Sequence, residues 1–155
     1  MTTILKKIRR EEHPYCLLCG RNNPRGLKLD FQFMENGTME TSLRCSKGLE
    51  GYRGIVHGGV IAALLDSIMT NCLFANGVKA LTAELKVRYL SSVNTKELIR
   101  LRAVIEKSYA HFFMLKAELF QNGTAKARAT GKFFSFSQKQ SHGPNTSKKI
   151  KPTCK

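Results

Sequence analysis

Apolar and polar residues alternate along most of the chain, which is the pattern of β-strands that bury one face. The alternating stretches lie at residues 27–33, 81–89, 99–106, 113–119 and 125–132. Two tight-turn signals, Asn36-Gly37 and Asn122-Gly123, predict hairpins, so residues 38–45 are expected to return as a further strand. The pattern therefore predicts an antiparallel sheet of five or six strands.

One stretch breaks this alternation, because residues 60–75 are apolar on nearly every side of a helical projection. A Gly-rich loop precedes the stretch, and Asn76-Gly77 after it is a typical helix stop. We therefore expect one long helix from about His57 to Ala75. Such a helix must be wrapped by the sheet, and a partner must cover whatever the sheet leaves exposed.

The length of 155 residues has room for one domain. We expect a leader at residues 1–13, with a short amphipathic helix, and a domain at residues 14–136. Residues 137–155 contain five lysines and no acid, which predicts a flexible basic tail. No apolar run approaches the ~20 residues of a membrane span and no secretory signal is recognisable, so a cytoplasmic protein without a membrane partner is expected.

The net charge is strongly positive, formally +15, and it is still +10 without the five tail lysines. Such a charge favours an anionic partner, whether nucleic acid, an acidic surface or a polyanionic small molecule such as a CoA ester. Few aromatic residues stand on the charged strand faces, so a stacking platform for single-stranded nucleic acid is poorly supported. We expect a small-molecule partner and no nucleic acid.

The five cysteines are an odd number without an export signal, which predicts reduced thiols. Cys16 and Cys19 have the spacing of a metal knuckle, and His13 lies three residues before Cys16. A structural zinc site usually has four such ligands, and no second Cys-x-x-Cys pair exists. We therefore expect no bound metal, and a turn whose thiols pack as small apolar groups.

Asp66 is the single charged residue of the predicted long helix. A carboxylate among apolar residues is costly to bury, and no basic residue stands within a helical turn to pair with it. Burial would raise the pKa of Asp66 and suit it to act as a general base or nucleophile near neutral pH. The alternative is a structural aspartate that Ser67, Thr70 or a partner chain satisfies.

The sequence His57-Gly58-Gly59 stands at the start of the same helix. Glycines there would let a ligand approach the free backbone N–H groups, and the helix dipole adds positive potential, so the segment is suited to bind an oxyanion. His57 and Asp66 are nine residues apart, roughly 13 Å along a helix. One chain cannot bring both ends to one atom, whereas two chains related by a twofold axis can. Alternatively, the glycines only form a tight turn.

Three segments carry a family resemblance: GYRGIVHGGVIAALLD at residues 51–66, TAELKVRYL at residues 82–90 and CLLCGRNNPRGL at residues 16–27. They resemble the hotdog-fold thioesterases of the PaaI-like, 4-hydroxybenzoyl-CoA thioesterase superfamily over about residues 14–136. The resemblance implies an α+β hotdog fold, in which a five- or six-stranded antiparallel sheet wraps a long central helix. It also implies a homodimer or homotetramer with neither cofactor nor metal.

The same resemblance implies an acyl-CoA thioesterase that hydrolyses a CoA thioester to the free acid and CoA at a dimer interface. By position, Asp66 would be the base or nucleophile, and the Gly58 N–H of the other subunit would polarise the thioester carbonyl. His57 would support the loop or contact the thioester, and Thr82 would help to position the water. The expected substrate-binding residues are Gly59, Tyr52, Arg53 and Arg88, with the two arginines contacting the phosphates of CoA.

Two positions depart from the pattern of many relatives. Gly51 stands where they carry an asparagine, and Ser67 stands where they carry an acidic residue. The alternative function is therefore a non-catalytic protein that binds or senses acyl-CoA. A serine nucleophile is not indicated, because the sequence has no Gly-x-Ser-x-Gly motif.

Overall fold

The computed structural model describes residues 3–136. The expected tail at residues 137–155 lies outside this range. Two α-helices, one 3₁₀ turn and six strands follow in the order α1 (Thr3–Glu12), β1 (Gln32–Phe33), β2 (Met39–Arg44), the 3₁₀ turn (Lys47–Leu49), α2 (Gly58–Ala75), β3 (Ala80–Tyr89), β4 (Leu98–Tyr109), β5 (Phe112–Gln121) and β6 (Thr124–Ser135).

The six strands form one antiparallel sheet in the order β1-β2-β4-β5-β6-β3. Hairpins join β1 to β2, β4 to β5 and β5 to β6. At the second of the two predicted turns, Asn122 and Gly123 both have positive φ, at 51° and 76°. The strand that follows α2 crosses over to pair with β6, so β3 lies at an edge of the sheet. The predicted antiparallel sheet of five or six strands is confirmed.

Helix α2 runs through the concave side of this sheet, as its apolar sequence predicts. It begins after His57, whose Nδ1 accepts a hydrogen bond of 2.9 Å from the Gly59 N–H and so caps the helix. It ends at Ala75, and two residues later Gly77 takes a φ of +75°, the left-handed conformation that commonly terminates helices. The helix is long and apolar enough to resemble a membrane span, but 67% of it is buried inside the protein, as expected of a core helix.

Small residues on β6 make room for α2. Ala127, Ala129 and Gly131 are buried on the face of β6 that packs against the helix. A Cβ atom at Gly131 would lie 2.6 Å from Cε2 of Phe133 and 3.1 Å from Cε of Met69 on α2. Because packed cores do not absorb an added methyl group without strain, this position holds helix and sheet at close approach.

The first predicted strand is much shorter than its alternation suggests. The alternation of residues 27–33 predicts a strand, but only Gln32 and Phe33 pair with β2. The preceding leucines pair instead with the loop that follows α1: the Leu27 and Leu29 N–H groups donate to the carbonyls of Leu17 and Leu18, each at 2.9 Å. The segment is half-buried, as its pattern requires, but Lys28 takes a φ of +55°, so the backbone is not a continuous strand and its partner is a loop.

A β-bulge interrupts the alternation of β3. The register with β6 shifts between Thr82 and Glu84, so Ala83 is an extra residue. As a result the Thr82 side chain reaches α2, and Glu84 forms an ion pair with Lys132 on the outer face. The alternation expected from the sequence, with Thr82 and Glu84 on one face, is therefore wrong across the bulge.

A buried arginine joins α1 to the loop that follows it. Helix α1 contacts α2, and the Arg9 guanidinium, 7% exposed, donates to the carbonyls of Cys19 at 2.9 Å and Leu29 at 2.7 Å. Charge-assisted hydrogen bonds of this kind are stronger than neutral ones. They fix the loop that carries Cys16 and Cys19 to α1, which itself contacts α2.

Candidate active site

Asp66 and Thr82 meet at the centre of the candidate site. The Thr82 hydroxyl donates a hydrogen bond of 2.7 Å to Oδ1 of Asp66, which lies half-buried in the middle of α2. Among residues 3–136, no lysine or arginine lies within ion-pair distance of Asp66. The Thr70 hydroxyl donates to the backbone carbonyl of Asp66, not to its carboxylate. Of the predicted local partners, neither Ser67 nor Thr70 therefore satisfies the carboxylate.

The surroundings raise the pKa of Asp66 above its ordinary value. Burial is the main cause, because it disfavours the charged form, and the hydrogen bond from Thr82 opposes it. The negative charge of Cys16 adds to the rise and the charge of His13 reduces it, so the loop that follows α1 acts on this carboxylate. A carboxylate with a raised pKa binds a proton more readily and is a stronger base.

The start of α2 presents a backbone donor. The capping bond goes to Gly59, and within residues 3–136 the Gly58 N–H makes no hydrogen bond. The Gly58 carbonyl accepts a hydrogen bond of 2.8 Å from the Tyr89 hydroxyl, which orients the first turn. Together with the positive end of the helix dipole, the free N–H is suited to bind an oxygen that gains negative charge.

The two halves of the site stand apart within one chain. Gly58 and Asp66 are eight residues apart on one straight helix, about 12 Å along its axis. One chain therefore forms two separate groups, Asp66 with Thr82 in the middle of α2 and His57 with Gly58 and Gly59 at its start. It does not bring these two groups together.

The loop before α2 folds back as a tight turn. The Gly51 N–H donates to the Ile55 carbonyl at 3.0 Å, and Gly54 takes a φ of +78°. A Cβ atom at Gly51 would lie 3.1 Å from Cδ2 of His57, so glycine allows the histidine ring to approach. Two predicted substrate-binding residues, Tyr52 and Arg53, are exposed on this turn.

Arg88, the other predicted phosphate contact, points away from Asp66. It stands opposite Arg128 in the β3–β6 register and beside Lys86 and Arg102 on the outer face of the sheet. Asp66 lies on the inner face, where α2 packs. Within one chain, the structure therefore does not bring Arg88 to the candidate site.

Sequence reasoning missed two contributors. Tyr89 was expected only as an apolar-face residue of β3, and its hydroxyl instead orients the start of α2. Cys16 and Cys19 were expected only in a turn of packed thiols, and no role was expected for His13, but the charges of Cys16 and His13 act on Asp66. The alternation of β3 gave a signal for the first, whereas the second depends on tertiary packing, for which the sequence gives no local signal.

The model of the thioesterase superfamily matches residues 53–127, which contain the start of α2, Asp66 and Thr82. A comparison with curated protein sequences gives no match.

Solved structures share the fold of the chain. A thioesterase superfamily protein has a TM-score of 0.71 at 21% identity, over 75% of this chain and 61% of that one, so this chain spans less than two thirds of its length. A phenylacetic acid degradation-related protein from Ralstonia eutropha JMP134 has a TM-score of 0.70 at 23% identity, over 85% of this chain and 99% of that one.

A third structure is a hypothetical thioesterase protein from Streptococcus pneumoniae TIGR4 with coenzyme A, with a TM-score of 0.66 at 17% identity, over 72% of this chain and 91% of that one. The same protein has been solved with an aspartate, and separately with a threonine, replaced by alanine. The two replaced residues are 16 positions apart in that chain. The resemblance found in the sequence is confirmed: the chain has the hotdog fold, and its residues 53–127 match the model of the thioesterase superfamily.

Proposed function

We propose that this chain is an acyl-CoA thioesterase that hydrolyses a CoA thioester to the free acid and CoA in a site shared by two subunits. The observation that carries the proposal is the Asp66 carboxylate, half-buried in an otherwise apolar helix and held by Thr82 at 2.7 Å. A charged group in such surroundings costs free energy, which a catalytic role explains.

Asp66 has two chemically complete routes. As a general base, it takes a proton from water while the water oxygen attacks the thioester carbon, and the CoA thiolate leaves and is protonated. As a nucleophile, its oxygen attacks the same carbon, CoA leaves, and water then hydrolyses the mixed anhydride. In both routes Thr82 positions the reacting oxygen. The raised pKa of Asp66 favours proton abstraction.

The carbonyl oxygen of the substrate gains negative charge in both routes and needs a donor. The free N–H of Gly58 is suited to this, but its own Asp66 is about 12 Å away along the helix. The site is therefore complete only when Gly58 of one copy meets Asp66 of another. A twofold axis beside α2 would create two such sites at once.

The uncovered side of the molecule supports such a pairing. Strand β3 has a sheet neighbour on one side only, and its Leu85 and Val87 side chains are half-buried. Beside them, a stripe of α2 is left partly exposed at Ala62, Ala63 and Asp66. Joining two copies along β3 would pair the free strand edge and cover this stripe.

The pneumococcal relative supports the CoA carrier and the pair of site residues. It was solved with coenzyme A, and its aspartate and threonine variants concern residues 16 positions apart. Asp66 and Thr82 are also 16 positions apart. The basic charge of this chain agrees with an anionic carrier, and the exposed Arg53 beside the helix start is a candidate phosphate contact.

A non-catalytic acyl-CoA binding or sensing protein is the second candidate. It is favoured by Gly51, which offers no side-chain amide where many relatives carry asparagine. A side chain there would also crowd His57, since a Cβ atom would lie 3.1 Å from its ring. A sensor would bind CoA esters without releasing CoA.

Release of free CoA thiol from a panel of aromatic and fatty acyl-CoAs tests the proposal. Wild-type protein is expected to release thiol, and Asp66→Asn is expected to lose ~10²–10⁴-fold in kcat/KM. Glu84→Gln is the matched control, because it removes the same charge from an exposed residue on the outer face of β3. Binding of CoA esters without turnover by the wild type would favour the sensor, and equal loss in both variants would exclude the proposed role of Asp66.

A further inference from the structure

The loop that follows α1 brings three side chains of metal-binding types together. The ligand atoms of His13, Cys16 and Cys19 all lie within 4.8 Å of one another, and Nδ1 of His13 is 3.8 Å from Sγ of Cys19. The thioesterase proposal uses none of these three atoms. From the sequence, a turn with packed thiols was expected, because only one Cys-x-x-Cys pair exists.

We propose that His13, Cys16 and Cys19 form a zinc site in the loop that follows α1. A tetrahedral zinc ion with Zn–S of ~2.3 Å and Zn–N of ~2.0–2.1 Å holds a sulfur and a nitrogen about 3.6 Å apart. The observed 3.8 Å between His13 and Cys19 differs from this by a few tenths of an ångström. The three ligand atoms lie within 4.8 Å of one another, so side-chain movements of up to about 1 Å would bring all of them to zinc distances.

Backbone hydrogen bonds close the loop that carries the three side chains into tight turns. The Cys16 N–H donates to the His13 carbonyl at 3.3 Å, and the Gly20 N–H donates to the Cys16 carbonyl at 2.9 Å. A Cβ atom at Gly20 would lie 2.3 Å from the Cys16 nitrogen, so only glycine permits the loop to close this tightly. The loop is thus arranged before any ion binds, and little conformational entropy would be lost on binding.

Neighbouring residues contact two of the three ligands, His13 and Cys19. The His13 ring packs edge-on against Phe74 of α2, with 4.8 Å between ring centroids. The Asn71 amide, also on α2, lies 3.9 Å from Sγ of Cys19. Arg9 fixes the Cys19 carbonyl from the other side at 2.9 Å. Contacts of this kind, from outside the ligand set, orient the ligands of metal sites in proteins.

The donor set selects the class of ion. Two thiolates and one imidazole are soft and borderline ligands, which suit zinc and do not suit magnesium or calcium. Two thiolate charges also balance the charge of Zn²⁺, which matters in a loop where Cys19 is only 2% exposed. Three protein ligands leave the fourth position to water, on the side where Cys16 is half-exposed.

Zinc content of the full chain tests this site directly. The protein is purified under reducing conditions, dialysed against excess zinc and then gel-filtered. Elemental mass spectrometry is expected to find about one zinc ion retained per chain. Cys16→Ser and Cys19→Ser are each expected to reduce this content to near zero. Cys45→Ala is the matched control: it removes another buried thiol, outside the cluster, and should retain the zinc.

A measurement on the wild type keeps the test valid if a cysteine variant misfolds. Protein freed of metal with a chelator is alkylated with iodoacetamide, with and without added zinc. The modified peptides are then identified by mass spectrometry. Zinc is expected to protect Cys16 and Cys19. The proposal is overturned if the wild type binds no more zinc than a correctly folded Cys19→Ser variant. It is also overturned if zinc protects neither thiol, or if the reduced purification yields a Cys16–Cys19 disulfide without metal.

Discussion

The Thr82 hydroxyl donates to the Asp66 carboxylate at 2.7 Å across the interface between β3 and α2. The contact depends on one extra residue, Ala83, which shifts the register of β3 after Thr82. Upstream of this bulge, Thr82 faces the helix; downstream of it, Leu85, Val87 and Tyr89 do so. A strand without the bulge could not present both Thr82 and Tyr89 to α2.

Removal of this hydroxyl is expected to change the pH dependence of the reaction. The bond from Thr82 lowers the pKa of Asp66 against the larger rise caused by burial, so Thr82→Val should raise that pKa further. Since the ionised carboxylate is the reactive form, the acid limb of kcat/KM should move to higher pH. Thr82→Ser keeps the donor and should keep the wild-type profile. An unchanged limb in Thr82→Val would show that Asp66 does not control it.

The Asp66→Asn variant is expected to be more stable than the wild type at neutral pH. A folded-state pKa above the unfolded one stabilises the fold at low pH, and this stabilisation is lost as pH rises through the folded-state pKa. Asparagine carries no charge, so the variant does not lose this stabilisation as the pH rises. Thermal melts should therefore place the variant a few degrees higher at pH 7, with the difference vanishing below pH ~3.5. A lower melting temperature at pH 7 would contradict this.

Gly58→Pro is expected to remove the proposed oxyanion donor without breaking the helix. Proline is tolerated at the first helical position, and the preceding His57 already has an extended backbone, with φ of −60° and ψ of 134°. Loss of one oxyanion-hole donor typically costs ~10²–10³-fold in kcat. Gly58→Ala, which keeps the N–H, is the control; its Cβ would meet the Tyr89 hydroxyl at an ordinary 3.5 Å. Full activity of Gly58→Pro would exclude the role of this N–H.

Mixing two inactive variants tests whether the site is shared between subunits. A mixed dimer of Asp66→Asn and Gly58→Pro chains contains one site with both native groups and one with neither. Co-expression in equal amounts should therefore restore about a quarter of wild-type activity, because half of the dimers are mixed and each has one intact site of two. Residual activity equal to that of the separate variants would indicate sites within single chains.

His57 is expected to act through its cap. Asparagine is a good N-cap residue, so His57→Asn should keep both the melting temperature and most of the activity. His57→Ala should lose about 0.5–2 kcal/mol of stability, with lower activity, because the Gly59 N–H loses its acceptor. If His57→Asn is stable but inactive, the imidazole instead contacts the substrate.

The sequence predicted the elements better than their partners. The long helix was expected at about His57 to Ala75 and is observed at Gly58–Ala75. This prediction succeeded because a stretch that is apolar on all sides, between a glycine-rich loop and Asn76-Gly77, fits few structures other than a buried helix. The segment at residues 27–33 was expected in the sheet. Its alternation shows that one face is buried, but it does not show which backbone pairs with it.

The candidate site was predictable in its parts but not in its assembly. Asp66 was found because a lone carboxylate in an apolar helix is conspicuous, and Thr82 through the family resemblance. The bulge at Ala83 has no glycine or proline to mark it, so the inward face of Thr82 could not be predicted. The approach of Cys16 and His13 to Asp66 depends on the buried Arg9, whose partners lie 10 and 20 residues away.

The capping bond at the start of α2 also fixes the tautomer of His57. A ring nitrogen that accepts a hydrogen bond carries no hydrogen, so Nδ1 is unprotonated while it receives the Gly59 N–H. The single hydrogen of the neutral ring then stands on Nε2, on a side chain that is exposed beside the free Gly58 N–H. His57 therefore offers a molecule bound at this end of the helix a hydrogen-bond donor, not a base.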